Sequence, residues 1–89
     1  MIASVQIGAV ENKLNDNTDV TVELDDGRVY SFTAFTPLNL MSLINQESLG
    51  YFLCEDMLVL GAIDEKNVRS AVEEMLEDDN IDRFGLKAD

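Results

Sequence analysis

The sequence predicts a small α+β domain, in which a largely antiparallel five-stranded sheet has two helices packed on it. Apolar and polar residues alternate in short segments near the N-terminus, which indicates strands because successive strand side chains point to opposite faces. Residues 64–76 combine a helix cap with apolar side chains at helical spacing. Apolar runs at 51–54 and 57–60 add two strands, so we expect the order β-β-β-α-β-β-α within a single domain over 1–89.

The first strand is expected at residues 2–10, where Val5, Ile7 and Ala9 alternate with polar or small residues. This alternation is typical of a strand with one face packed and one face in water. Residues 11–19 are almost wholly polar and rich in residues that favour turns, so they are predicted to form a loop.

The second and third strands should form a hairpin whose register depends on its turn. A two-residue turn at 26–27 would place Leu24 opposite Val29, whereas a three-residue loop at 25–27 places it opposite Arg28, with glycine in the left-handed conformation. Only the three-residue loop puts the large apolar residues of both strands on one face, and we therefore predict it. Those residues are Val20, Val22, Leu24, Tyr30 and Phe32.

The third strand is predicted at 28–35, and a helix should follow it. Thr36 can cap that helix, and Pro37 suits the first turn because its missing N–H would have no partner there. The helix is expected to reach Gln46. Its broad apolar face consists of Leu38, Leu40, Met41, Leu43 and Ile44.

The apolar runs 51–54 and 57–60 are predicted to form a second hairpin. Glu55 and Asp56 between them are costly to bury unpaired, so they should lie in a solvated reversal. Neither run alternates with polar residues, which indicates strands covered on both faces and therefore in the middle of the sheet. Cys54 is accordingly expected to be a buried, unreactive thiol, and a lone cysteine cannot form an internal disulfide.

The second helix has the clearest periodic signal in the chain. Asp64 can accept hydrogen bonds as its N-cap, and Glu65 adds a favourable charge in the first turn. Glu65 with Arg69, and Arg69 with Glu73, are opposite charges four residues apart on the outer face. The apolar stripe consists of Val68, Ala71, Val72, Met75 and Leu76.

The candidate binding residues are six acids within ten positions at the end of this helix and beyond it. They are Glu73, Glu74, Glu77, Asp78, Asp79 and Asp82. Most lie near the helix C-terminus, where the helix dipole is negative and disfavours them. One interpretation is a helix that frays after Leu76 into a solvated acidic tail at 79–89, which Ile81, Phe84 and Leu86 are able to dock. The other is a docking face for a basic partner.

Several kinds of chemistry lack the residues that they need. The chain contains no histidine, which excludes imidazole-based catalytic triads and histidine-containing zinc sites, and its five glycines are too dispersed for a phosphate-binding loop. Two calcium-like spacings, at 15–19 and 78–82, have Val20 and Arg83 where the loop needs glycine. We therefore expect no metal, no cofactor and no catalysis. Glu55 and Asp56 could imitate a catalytic acid–base couple, but neighbouring strand residues point to opposite faces, which argues against joint action.

The composition points towards a protein partner. Eighteen acidic against six basic residues leave a net charge of −12, which repels nucleic acid and anionic lipid and favours basic proteins. The leading hypothesis is a non-catalytic cytoplasmic domain that binds a basic protein, as an antitoxin, immunity protein or inhibitor does. Alternatives are a structural homo-oligomer, a mimic of nucleic-acid phosphates and, last, a small carboxylate-based enzyme. Self-association would use exposed aromatics among Tyr30, Phe32, Tyr51 and Phe84, although core positions are favoured for them.

Overall fold

The computed structural model of the protein describes residues 1–46 and 50–88. It confirms the α+β class, with a five-stranded sheet and, within the described residues, three helices where two were expected. The elements are β1 (Ile2–Ile7), β2 (Asn17–Leu24), β3 (Val29–Phe35), α1 (Pro37–Gln46), β4 (Met57–Val59), α2 (Glu65–Glu77), α3 (Ile81–Phe84) and β5 (Leu86–Ala88).

The sheet is mixed, and β3 is its central strand. The order is β1-β2-β3-β4, with antiparallel pairing between β1 and β2 and between β2 and β3. The edge of β3 that faces away from β2 is shared by two short strands. β4 pairs in parallel with residues 33–35, and β5 pairs antiparallel with residues 29–31. β1 lies at the rim, where β2 is its strand partner.

The predicted three-residue hairpin loop is confirmed. The Leu24 N–H donates to the Arg28 carbonyl at 2.8 Å, and the Gly27 N–H donates to the Leu24 carbonyl at 3.0 Å. Gly27 has φ of +91°, a conformation that favours glycine because it has no Cβ. The resulting register places Val22 opposite Tyr30 and therefore brings the apolar residues of both strands to one face.

A single core lies between that face and α2. Asp64 caps α2 as predicted, because its carboxylate accepts from the Asn67 N–H at 2.8 Å. The apolar stripe faces the sheet, with Val68, Val72 and Met75 buried. The buried cluster consists of Val20, Val22, Leu24, Tyr30, Phe32, Ala34, Leu58, Leu60, Ile63, Val68, Val72, Met75 and Ile81.

Helix α1 has the predicted bounds but is packed differently from α2. Thr36 is buried, and its hydroxyl oxygen accepts from the Asn39 N–H and from the Asp16 N–H, each at 3.3 Å. This contact ties the loop before β2 to the start of α1. None of the ten residues of α1 is buried, so the helix adds no residue to the core.

The predicted central hairpin is wrong. Residues 51–54 form no strand, Leu53 is 83% exposed, and β4 keeps only three residues, at the outside of the sheet rather than its middle. The physical reason is that the intended hairpin turn is bound to β3: the Thr33 N–H donates to the Asp56 carbonyl at 2.9 Å, and the Thr33 hydroxyl donates to the Asp56 carboxylate at 3.3 Å. Phe52 alone packs inward, with its ring edge against Phe35 at 5.1 Å between centroids.

Three related expectations also change. Cys54 is exposed rather than buried, because the segment that carries it lies outside the sheet. The first strand ends at Ile7, three residues earlier than predicted. Of the aromatic residues weighed for self-association, Tyr30 and Phe32 are buried, whereas Tyr51 and Phe84 are substantially exposed.

The C-terminal segment lies against the sheet up to Ala88, while Asp89 is outside the described residues. Ile81 is buried in the core, and β5 continues the pairing of β3. Gly85 passes so close to Phe32 that an added Cβ would lie 2.7 Å from the ring. Phe84 and Leu86 remain about half exposed, so Ile81 is the apolar anchor of this segment.

Replacement of Gly27 by alanine should lower the free energy of unfolding by about 1–2 kcal/mol, because an alanine Cβ is strained at positive φ. Gly61→Ala is the matched control, since its φ is not positive and no heavy atom lies within 4 Å of the added Cβ. Urea denaturation of both variants measures the difference. Equal stability of the two variants would contradict the assigned turn.

Candidate functional site

The six candidate carboxylates surround the C-terminal end of α2, and we call them the acidic end. Glu73, Glu74 and Glu77 are in the last turns of α2, Asp78 is its C-cap residue, and Asp82 is in α3. Asp79 lies between the two helices. All six residues are exposed.

A closed helix end, rather than a frayed one, positions these carboxylates. The Asn80 N–H donates to the Met75 carbonyl at 3.0 Å, and the Asp79 N–H donates to the Leu76 carbonyl at 3.2 Å. Asp79 has φ of +53°. This combination is a Schellman motif, with aspartate in the left-handed position that glycine usually takes. The helix therefore continues to Glu77 and ends at a defined place, and the interpretation as a frayed tail is wrong.

The acidic end is divided between two flanks of α2. Glu73 and Glu77, one helical turn apart, border an open groove whose apolar lining comes from Met1, Ile2 and Leu76. Glu74 lies on the other flank, beside a second open groove. That groove is lined by Met57, Leu58, Val59, Ala71, Met75 and Phe84. Each flank thus combines carboxylates with accessible apolar surface.

The acidic end has little local charge compensation. The ion pairs among the described residues join Arg69 to Glu65 at 3.0 Å, Arg28 to Asp26 at 2.9 Å and the N-terminal amine to Asp25 at 3.9 Å. None of them involves the acidic end, and the predicted pair of Arg69 with Glu73 is not among them. The last turn of α2 contains no basic residue that could offset the unfavourable position of its carboxylates at the negative end of the helix dipole.

Asp82 differs from the other five acids, because it holds the C-terminal segment on the sheet. The buried Tyr30 hydroxyl donates to the Asp82 carboxylate at 2.6 Å, and Arg28 donates to the same hydroxyl oxygen at 3.4 Å. The bond to Asp82 is the main cause, and burial the second, of a Tyr30 pKa raised above its ordinary value. The contact joins residues 52 positions apart, and no sequence pattern indicated it.

Glu55 and Asp56, the acids weighed as an acid–base couple, line neither of the two grooves described above. Glu55 is exposed, and the Asp56 carboxylate accepts from the Thr33 hydroxyl at 3.3 Å, which ties the turn before β4 to β3. In the part of the chain that the structure describes, no group of three or more acidic, cysteine or histidine side chains is placed to hold a metal ion. No helix over 1–46 and 50–88 has the length and apolar character needed to cross a membrane.

Comparison with known proteins adds no functional assignment. No protein-family model matches the chain, and neither the curated proteins nor the solved structures contain a match to it. The candidate site therefore rests on its own geometry and charge.

The contact between Tyr30 and Asp82 should be measurable by alkaline titration. In a Tyr51→Phe background, Tyr30 is the remaining tyrosine, and its absorbance should titrate above 10.0, the ordinary pKa of the phenol. Because folding raises the Tyr30 pKa, the contact contributes its full stability at pH values below 10.0, the ordinary pKa of the phenol. It is lost as the pH rises through the folded pKa.

Asp82→Asn should move the Tyr30 titration to lower pH, because the carboxylate charge that opposes phenolate formation is removed. Asp78→Asn removes the same charge nearby without touching Tyr30 and should have a smaller effect. An unchanged midpoint in Asp82→Asn would show that the hydroxyl does not donate to this carboxylate.

Proposed function

We propose that the protein is a non-catalytic interaction domain that binds a basic protein through its acidic end. An antitoxin, an immunity protein or an inhibitor of a basic enzyme acts in this way. The observation that carries the proposal is the group of exposed carboxylates with no basic partner within 4.0 Å in the described residues, held on a closed helix end.

The closed helix end supports binding because it limits the motion of the carboxylates. Asp78 and Asp79 belong to the Schellman motif, and Ile81 buries the start of α3 in the core. Groups that are already ordered lose less conformational entropy when a partner binds. Cations of a partner would also relieve the repulsion among these acids and their unfavourable position on the helix dipole.

The grooves beside the carboxylates suit lysine and arginine side chains. Such a side chain has an aliphatic stem that prefers apolar surface and a cationic head that prefers a carboxylate. On one flank, the stem would lie on Ile2 and Leu76, while the head reaches Glu73 or Glu77. On the other flank, Phe84 and Met57 provide the apolar surface near Glu74. A basic partner is thus favoured by shape as well as by charge.

The placement of the remaining acids favours a protein partner over mimicry of nucleic acid. Mimicry requires carboxylates at phosphate-like spacing along one continuous surface. The other exposed acids of the described residues lie in the loop before β2, on β2, in the hairpin, before β4 and in the first turn of α2. They are Glu11, Asp19, Glu23, Asp25, Asp26, Glu55 and Glu65. The acidic end is the region where exposed acids and apolar grooves occur together.

Neutralisation of the acidic end should abolish capture of the partner from the lysate of the native host. The test variant combines Glu73→Gln, Glu74→Gln, Glu77→Gln, Asp78→Asn and Asp79→Asn, and it leaves Asp82 in place to keep the contact with Tyr30. The control variant removes the same charge elsewhere on the surface. It combines Glu11→Gln, Asp19→Asn, Glu23→Gln, Asp25→Asn and Glu55→Gln.

Partner capture is compared by pull-down and mass spectrometry, with thermal unfolding as the check on folding. The control variant should retain the partner, whereas the test variant should lose it while unfolding at an equal or higher temperature, because unfavourable charges have left the helix end. Complex formation with the wild type should weaken as salt rises. Equal recovery of every partner by both variants would refute the proposal.

A further inference from the structure

The edge of β1 that faces away from β2, which we call the open edge, carries backbone groups without a strand partner. Among residues 1–46 and 50–88, β2 is the strand that pairs with β1. Successive residues of an antiparallel ladder point their backbone groups alternately towards the partner strand and away from it. The Gly8 N–H donates to the Asp19 carbonyl at 2.9 Å, so Gln6 also bonds towards β2. The N–H and carbonyl groups of Val5 and Ile7 therefore point to the open edge.

The side chains of the same two residues are incompletely covered. Val5 and Ile7 lie opposite the buried residues Val22 and Val20 and pack against the core, yet both are only partly buried. A strand placed beside β1 would cover this apolar surface and would also pair with the outward backbone groups. The open edge thus offers a second strand both kinds of stabilisation.

Helix α2 runs along β1 in the opposite direction. At the start of α2, the Ile63 N–H donates to the Lys13 carbonyl at 2.8 Å, in the loop that joins the end of β1 to the start of β2. At the end of α2, Leu76 borders the same groove as Ile2, at the start of β1. Because the two ends of α2 lie near opposite ends of β1, a strand added at the open edge would run alongside the flank of α2 that borders this groove.

The charge of that flank favours a basic strand. Glu73 and Glu77 border the groove beside Ile2, and neither has a basic partner within 4.0 Å in the described residues. Arg69, one turn earlier, is already paired with Glu65 at 3.0 Å. Residues four apart in a helix are separated by about 6 Å along its axis, and alternate residues of a strand by about 6.8 Å. Cations at alternate positions of a strand therefore match the spacing of the two carboxylates.

We propose that the open edge receives an extended basic segment of the partner as an added strand, antiparallel to β1, with lysine or arginine at alternate positions on the side of α2. This inference rests on the proposed function and deepens it, since it states how the basic partner is held. In antiparallel pairing, the residues that bond to Val5 and Ile7 also place their side chains on the same face as these two. The residues that donate to β1 are thus the ones whose side chains face α2.

Other occupants fit the open edge less well. A second copy approaches with the same charge, −12 per chain, and brings no cation for Glu73 or Glu77. A nucleic acid is repelled by this charge and has no peptide backbone to pair with Val5 and Ile7. An uncharged strand would pair with β1 but would leave both carboxylates without a partner.

Binding of a synthetic peptide, followed by NMR, tests the inference. The probe is the heptapeptide Lys-Thr-Lys-Thr-Lys-Thr-Lys with blocked ends, which carries its cations on one face when extended. At saturation, amide hydrogen exchange at Val5 and Ile7 of the wild type should slow by about tenfold or more. Exchange at Gln6 should change little, because its N–H already points to β2.

Methylation of peptide nitrogens distinguishes an added strand from attraction between charges. Methyl groups on the backbone nitrogens of the two inner lysines would block the N–H groups that face β1, and should weaken binding by about tenfold. Methyl groups on two threonine nitrogens would alter N–H groups that face solvent, and should have a much smaller effect. Both peptides keep the charge of the probe.

Protein variants test the two surfaces separately. Ile7→Pro removes an outward N–H without breaking a bond to β2 and should abolish binding, whereas Ile7→Ala keeps that N–H and should still bind. Glu73→Gln with Glu77→Gln should weaken binding by about tenfold. Glu74→Gln with Asp78→Asn removes the same charge from the other flank and should weaken it less. Circular dichroism checks folding, and the methylated peptides need no variant.

Three results would overturn the inference. They are unchanged exchange at Val5 and Ile7, binding of the lysine-methylated peptide as strong as that of the threonine-methylated one, and equal effects of the two paired charge variants. A wild type that protects Val5 and Ile7 by self-association without peptide would instead assign the open edge to a second copy.

The proposed function can be separated from this inference by the same variants. Ile7→Pro keeps all six carboxylates of the acidic end. If folded Ile7→Pro captures the host partner as well as Ile7→Ala does, the partner uses the acidic end without β1, and only the added strand is refuted. Loss of capture in Ile7→Pro alone supports the added strand.

Discussion

Hydrogen bonding along both edges of β3 is the constraint on which the rest of the structure depends. One edge holds β2 over the full length of β3, and the other is shared by β4 and β5. β3 contains no charged residue, which suits a strand with neighbours on both edges. Its alternating residues Tyr30, Phe32 and Ala34 lie on the face of the sheet that forms the core with α2. The position of α2, and with it the acidic end, follows from this strand.

Tyr30 links this core to the charged surface. Its ring belongs to the buried cluster, while its hydroxyl donates to Asp82 in α3. A buried hydroxyl needs a partner, and a carboxylate meets that need while fixing the segment that carries it. The acidic end is thereby attached at two points, through the Schellman motif of α2 and through Asp82. One of the six acids stabilises the fold, and the other five are those through which we propose that a partner binds.

The features that the sequence predicted well are those decided by neighbouring residues. The loop at 25–27, the Pro37 helix start and the Asp64 cap each depend on backbone conformation within a few positions. The run 51–54 was assigned wrongly because apolar composition does not reveal that Asp56, in the intended turn, binds Thr33 of β3. The parallel pairing of β4, the three-residue β5 and the bond from Tyr30 to Asp82 all join distant residues, and no local pattern specifies them.

The rim position of β1 gives the net charge a further role. Exposed strand edges invite pairing between molecules, and proteins commonly guard them with lysine or proline. Apart from a register irregularity between Ile2 and Ser4, β1 has no such guard, since it contains neither a charged residue nor proline. Electrostatic repulsion between the negatively charged molecules is then what opposes pairing of β1 strands from different molecules. Near pH 4.1, the isoelectric point, the net charge and therefore this repulsion disappear. The β1 edges of different molecules can then pair, and the protein can precipitate.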